Sequence, residues 1–280
     1  MRHFIEASEL SIALTGDRPP VVLDLRFDPG KGSDISRYEQ GHIVGARFVA
    51  LEQTLVQTEA ATLGPLPDPL ALEESLRGLG LDNDTPVVVY DDTSGGPSAR
   101  AWWVLTWAGA TQVRTLNGGL AAWRAAGLPL VPGSDATPVA KGTFTVAAGG
   151  LASVEADDVE QIVAKRSAIV IDTRAPAHFA GDPEKARSGH IPGSVNLPQT
   201  AFRGADGRHV TDAATTDLLF SAGVKTDTDI VLSCGGGISS AYVALVLLEH
   251  GNNVMLYPGS FSDWVTNPAH PVEQSQSVRP

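Results

Sequence analysis

Cys234 is the only cysteine in 280 residues, and the types and spacing of its neighbours suit a reactive thiol. It stands in Ile230-Val231-Leu232-Ser233-Cys234-Gly235-Gly236-Gly237-Ile238-Ser239-Ser240-Ala241, where an apolar strand pattern gives way to glycines and then to a strongly apolar helix pattern, Ala241–Leu248. The connecting loop, Gly235, Gly236, Gly237, Ile238, Ser239 and Ser240, is too short and too glycine-rich to hold a side-chain core. Glycine lets the backbone approach closely and take positive φ where needed. Successive N–H groups can then turn toward one point at the positive end of a helix dipole. Such a setting depresses a thiol pKa from about 8.5 and keeps thiolate populated near neutrality. The segment reads as an anion cradle with a nucleophile at its rim, and a thiol walled off from solvent would overturn that reading. The bland fate of a free cysteine is an inert small core residue; three glycines and an immediate helix start argue against it.

Composition narrows the partners. A net charge of −12 disfavours nucleic acid and anionic membrane surfaces. It also requires local cations to capture any anionic substrate, because the overall field repels it. One cysteine can form neither an internal disulfide nor a cysteine-based zinc site. The seven histidines lack metal-ligand spacing, and Gly30-Lys31-Gly32-Ser33 has neither P-loop nor Rossmann spacing, so no metal and no cofactor are expected. Met1-Arg2-His3-Phe4-Ile5-Glu6-Ala7-Ser8-Glu9 carries acids where a signal peptide needs an apolar run. No apolar stretch approaches the length of a membrane span. A soluble, cytoplasmic protein is expected, with no dedicated dimer feature.

The elements that must position Cys234 occur twice. Val21-Val22-Leu23-Asp24-Leu25-Arg26 recurs as Ile169-Val170-Ile171-Asp172-Thr173-Arg174, and Gly41-His42-Ile43-Val44-Gly45-Ala46 as Gly189-His190-Ile191-Pro192-Gly193-Ser194. The run Val87–Asp91 corresponds to Val231–Cys234, which puts Asp91 opposite the cysteine. Leu116-Asn117-Gly118-Gly119-Leu120-Ala121-Ala122-Trp123 matches Tyr257-Pro258-Gly259-Ser260-Phe261-Ser262-Asp263-Trp264. Four landmarks in one order mean two tandem copies of one fold. Within each copy β-branched runs (Val21–Asp24, Val87–Tyr90, Val113–Leu116, Ile169–Asp172, Ile230–Ser233) alternate with helical stretches (Ala71–Leu79, Ser98–Ala108, Val154–Lys165, Thr215–Ser221, Ser239–His250). The class is therefore α/β, each domain a mainly parallel sheet with helices on both faces. Ligands of such sheets sit beyond the carboxyl ends of the strands, where Cys234 falls. A Pro/Gly/Ser/Thr-rich stretch without periodicity places a linker at 132–142, between domains 1–131 and 143–280. Trp102, Trp103 and Trp107 share one helix and are assigned to packing.

Taken together, these landmarks resemble the tandem-domain rhodanese family of sulfurtransferases over nearly the whole chain. The resemblance rests on Asp-x-Arg at Asp24 and Asp172, the turns at His42 and His190, the motifs ending at Trp123 and Trp264, and the Cys234 loop. It implies a catalytically silent first domain, consistent with Asp91 in place of a cysteine. It implies that the Cys234 thiolate takes the outer sulfur of a small anionic donor as a persulfide and passes it to cyanide or a thiol. The site is expected in a cleft to which the first domain contributes a wall. Relatives using thiosulfate carry basic residues after the cysteine, whereas those using 3-mercaptopyruvate carry Cys-Gly-Ser-Gly-Val-Thr. The neutral Cys-Gly-Gly-Gly-Ile-Ser-Ser is nearer the second. It departs at Gly236, where the relatives' serine is held to relay protons with a first-domain His and Asp, matched here by His42 and Asp34. Ser239 or Ser240 offers a substitute donor, or else caps the helix.

The resemblance also implies cations for the donor's charge. Arg187 is the choice for a bidentate grip, with a solvated surface role as its alternative. His178 stands where relatives carry a substrate-binding Arg; it holds an anion only when protonated, and its alternative is a partly buried structural role. Arg174 shares a strand face with Asp172, which favours an internal ion pair, with substrate contact second. His42 and His190 open tight turns and are assigned mainly structural roles.

Three other classes fit these residues less well. Cdc25-like phosphatases read Cys-x5-Arg, and Ser240 occupies that Arg position. A non-catalytic rhodanese-like binding or regulatory module is the main alternative, against which stand the retained cysteine and its glycine cradle. Cysteine-protease chemistry needs a His beside the thiolate, and no local protease signature surrounds Cys234.

Overall fold

Short β-branched runs bounded by turn residues become the strands of two parallel sheets. The structure is a computed structural model and describes residues 2–28, 30–56, 65–134, 138–225 and 228–275. In the first unit the strands are β1 (Phe4–Ile5), β2 (Val21–Leu25), β5 (Arg47–Phe48), β6 (Val87–Asp91) and β7 (Val113–Leu116), ordered β1-β7-β6-β2-β5 with every pair parallel. A small antiparallel pair, β3 (Phe27–Asp28) and β4 (Gly32–Ser33), stands apart. The helices are α1 (Ala7–Ala13), α2 (Ile35–Gln40), α3 (Pro69–Gly78), α4 (Gly96–Trp107) and α5 (Gly119–Ala125).

The second unit repeats this order as β11-β10-β8-β9, again all parallel. Its strands are β8 (Ile169–Asp172), β9 (Val195–Asn196), β10 (Ile230–Ser233) and β11 (Val254–Leu256). Its helices are α6 (Ala156–Lys165), α7 (Pro176–Ala180), α8 (Asp212–Ser221), α9 (Ser239–Glu249) and α10 (Ser260–Trp264). The place of β1 is reduced to one parallel bridge, Ser153 to Leu256.

Strand parity sets the layers. Val88 and Tyr90 join Leu10, Leu120 and Trp123 in a core on one face of the first sheet. Val87 and Val89 point to the opposite face by period two, and α4, with Trp102 and Trp103 buried, packs on β6 and β7. In the second unit Val170 and Val231 meet Val159, Tyr257, Phe261 and Trp264. There α9 buries every residue from Ser240 to Leu247, as a helix apolar all round must.

Element ends moved where caps lie outside the apolar period. Asp68 accepts from the N–H groups of Leu70 and Ala71, so α3 starts at Pro69 rather than Ala71. A capping box of Glu155 and Asp158 starts α6 at Ala156 rather than Val154. Thr211 likewise caps α8, so the helix starts at Asp212, three residues before the predicted Thr215.

The expected linker also differs. Residues 135–137 of it lie outside the described residues. Beyond them the N–H groups of Gly142, Phe144 and Ala147 donate to the carbonyls of Arg77, Leu81 and Ala108 at 2.9, 3.1 and 2.9 Å. The segment is poor in apolar period, yet its backbone supplies partners to carbonyls at and just beyond the ends of α3 and α4. The first unit holds the described residues up to 56, 66–151 and Ala205–His209, and the second holds Pro65, Ala152–Gly204 and the described residues from Val210 onward.

Candidate active site

Register fixes which residues of the two units correspond. Asp24 pairs with Tyr90 and Leu25 with Asp91 across β2 and β6. Asp172 pairs with Ser233 across β8 and β10. The next residue in each central strand direction is Asp91 in one unit and Cys234 in the other.

The structure places Cys234 at the floor of its loop, not at the rim, with only 2% of the residue exposed. The Sγ atom accepts the Gly237 N–H at 3.0 Å and the Ser240 hydroxyl at 3.3 Å, and the Ser260 hydroxyl lies 3.8 Å away. Pointing into these donors is what draws the side chain inward. Within the loop Gly235 and Gly236 are part-exposed, and a Cβ on Gly235 would meet nothing within 4 Å. Of the three glycines, only Gly237 takes a left-handed conformation, φ 76°, which turns its N–H back to the sulfur. Burial pushes the thiol pKa up, but the Ser239 and Ser240 hydroxyls, the Ser240 N–H and the Ser260 hydroxyl outweigh it, so the net shift is downward.

Neither loop serine caps α9. Ile238 is its N-cap, without a side-chain bond. Ser239 lies 2.9 Å from Thr173 Oγ1, and Ser240 donates to the sulfur.

The first unit shows what this loop geometry holds. Asp91 Oδ1 accepts from the N–H of Thr93 at 2.8 Å and of Gly95 at 3.1 Å. Its Oδ2 accepts the N–H and hydroxyl of Ser98 at 3.1 and 2.7 Å. The loop between the central strand and its helix is thus an anion cradle in both units, filled in the first by a carboxylate of its own.

Each unit braces the cradle with the same ion pair. Arg174 donates to Asp172 through Nε and Nη2, and Nη2 also reaches Gly189 O at 2.6 Å. Arg26 binds Asp24 and Gly41 O identically in the first unit. Arg174 is thus held in an internal ion pair with Asp172, and its guanidinium also covers the Phe261 ring at 4.2 Å. His42 and His190 are buried; their Nδ1 atoms meet Tyr38 O and Phe179 O at 3.1 and 2.8 Å, and their rings stack on those same residues. Asp34 caps α2 by accepting from Ser36 N–H.

The expected cations Arg174, His178 and Arg187 gather at one groove, with Lys185 beside them. Arg174, His178, Lys185 and Arg187 line a depression of about 480 Å³, which Phe261 borders. Phe261 N–H donates to Cys234 O at 3.0 Å, so the groove adjoins the cysteine loop. His178 is exposed, not a partly buried structural residue. Arg187 differs from its expected free grip: its guanidinium donates to Val265 O and Asn267 O at 3.2 and 2.9 Å and faces Pro268 O and His270 O. A planar fork ringed by main-chain oxygens is a brace for the segment after α10.

Sequence reasoning missed Ser260, Phe261 and Thr173. Ser260 had a signal: it replaces Gly119 in the repeat. It also missed one grouping of potential metal-binding type among the described residues, Asp157, Glu160 and His270; there His270 is already engaged by Trp264 O and Asn267.

A rhodanese-like domain profile matches residues 6–126 and again 155–267. The chain is 37% identical over 273 residues to a provisionally named thiosulfate sulfurtransferase, SseB, of Mycobacterium tuberculosis, covering 96% of this chain and 95% of that one. It is 34% identical over 266 residues to the 3-mercaptopyruvate sulfurtransferase of Escherichia coli K12, covering 92% and 93%. The crystal structure of Escherichia coli SseA, a 3-mercaptopyruvate sulfotransferase of rhodanese fold, superposes with a TM-score of 0.83 at 31% identity, covering 93% of this chain and 99% of that one. With one sheet order written twice and both copies matching one domain profile, the chain belongs to the tandem-domain rhodanese family of sulfurtransferases.

Proposed function

We propose that the second unit transfers a sulfane sulfur through Cys234. The thiolate attacks the sulfur of 3-mercaptopyruvate; the S–S bond forms as the C–S bond breaks, and the carbon leaves with the electron pair as an enolate. The thiol proton of the donor ends on that carbon, which gives pyruvate and a Cys234 persulfide anion. An acceptor thiolate or cyanide then attacks the outer sulfur and releases Cys234 as thiolate. Ser240, whose hydroxyl reaches the sulfur, and Ser239 beside it stabilise both anions and offer a path for the proton in a loop that has Gly236 where relatives carry serine.

The observation that carries this reading is the convergence of N–H and O–H donors on Sγ. The resting thiol is buried, so the expected position at the rim is overturned; the reading rests instead on the donors around Sγ and on the persulfide's outer sulfur, which extends the reactive atom by about 2 Å, one S–S bond. The choice of donor follows the charges. The loop carries no cation, whereas the adjoining groove holds the exposed His178 and Lys185 beside Asp182, with Arg174 and Arg187 there already tied to Asp172 and to main-chain oxygens. A donor whose carboxylate lies some carbons from its transferable sulfur suits that separation better than thiosulfate, whose charge sits beside its sulfur. Intact mass after exposure to each donor tests the proposal: wild type gains one sulfur atom and Cys234→Ser gains none. No gain with either donor would leave a binding module in its place.

A further inference from the structure

Ser260 is one of two non-glycine residues among those described with positive φ, at 56°. Its counterpart in the first unit, Gly119, has φ 57°, and a Cβ there would lie 2.5 Å from Asp91 O. The two turns differ one residue earlier, where Gly118 has φ 79° and Gly259 −62°, and the second turn has room for a side chain. An L-residue in this region is strained relative to glycine. The strain coincides with contacts to the cysteine: Ser260 Oγ accepts the Cys234 N–H at 3.1 Å, and its one O–H is shared between Tyr257 O at 2.9 Å and Cys234 Sγ at 3.8 Å, wholly buried.

We propose that Ser260 is a positioning residue of the sulfur-transfer site, held in a backbone conformation that costs stability because its hydroxyl fixes the Cys234 backbone and lies against the sulfur. A silent unit keeps glycine at this place; the cysteine-bearing unit exchanges it for a hydroxyl. The inference rests on Cys234 being the nucleophile. It gives stability and reactivity opposite signs, which ordinary core packing does not do.

The test uses Ser260→Gly and Ser260→Ala in the full chain, with thermal unfolding, the pH profile of iodoacetamide alkylation and sulfur transfer from 3-mercaptopyruvate. For Ser260→Gly the unfolding midpoint is expected to hold or rise by a few degrees, while the thiol pKa rises by roughly half a unit and transfer slows about threefold. Ser260→Ala keeps the strain without the hydroxyl, so it loses reactivity and also unfolds earlier. A Ser260→Gly protein with the wild-type pH profile and rate overturns the proposal, as does one whose midpoint falls. If wild type itself gains no sulfur, the reading of Cys234 fails instead, and the two failures are told apart.

Discussion

Ser240→Ala removes one donor from Cys234 Sγ and leaves the Gly237 N–H in place. A hydrogen bond to a charged group is worth about 1.5–3 kcal/mol. At 3.3 Å to a soft sulfur the low end applies, and at 1.36 kcal/mol per unit the thiol pKa should rise by about one unit. Two consequences oppose each other. Below both pKa values the thiolate fraction falls about tenfold, but a more basic thiolate is also a better nucleophile, with a Brønsted slope of about 0.4–0.5. Combined, alkylation by iodoacetamide should be about fourfold slower than wild type in acid and about threefold faster once both thiols are ionised. The two rate–pH curves therefore cross. Stopped-time alkylation followed by intact mass measures them. Parallel curves, or a variant slower at every pH, would refute the claim that the Ser240 hydroxyl stabilises the thiolate.

The depressed thiol pKa also makes stability depend on pH. Between the folded and the unfolded pKa the unfolded chain binds more protons, so the thiolate's contribution is fully present above the unfolded value of about 8.5 and is lost as pH falls through the folded one. Urea unfolding of wild type minus Cys234→Ala should grow with pH up to that point and then level; a flat difference contradicts the hydrogen-bond assignment. Asp24→Ala removes the two-point partner of the buried Arg26 but leaves it Asp92 and Gly41 O, so it should cost less than the roughly 3–5 kcal/mol of an unpaired buried charge, about 2–3 kcal/mol in urea unfolding; a loss below about 1 kcal/mol would show that Asp92 alone satisfies Arg26. His178→Gln should raise the KM for 3-mercaptopyruvate without altering kcat, because His178 lines the groove but lies away from Sγ; an unchanged KM removes His178 from the donor site.

Sequence periodicity located the five named strands within a residue, because central parallel strands are continuous apolar runs and need no context to be seen. The repeat supplied the domain count, and the lone cysteine before three glycines supplied the candidate nucleophile. Two-residue edge strands such as Val195–Asn196 left no period to read, and Arg187 could not be assigned from its type alone, since the oxygens that surround it belong to residues 265–270.

Chain order, residue type and spacing thus single out the candidate nucleophile and the scaffold that carries it. Tertiary structure alone decides where that group points and what touches it. The sulfur lies on the floor of its loop because donors 3, 6 and 26 residues away converge there. Contacts at the last of these separations are made by the fold, when β11 is laid beside β10 and its turn brings Ser260 over the cysteine.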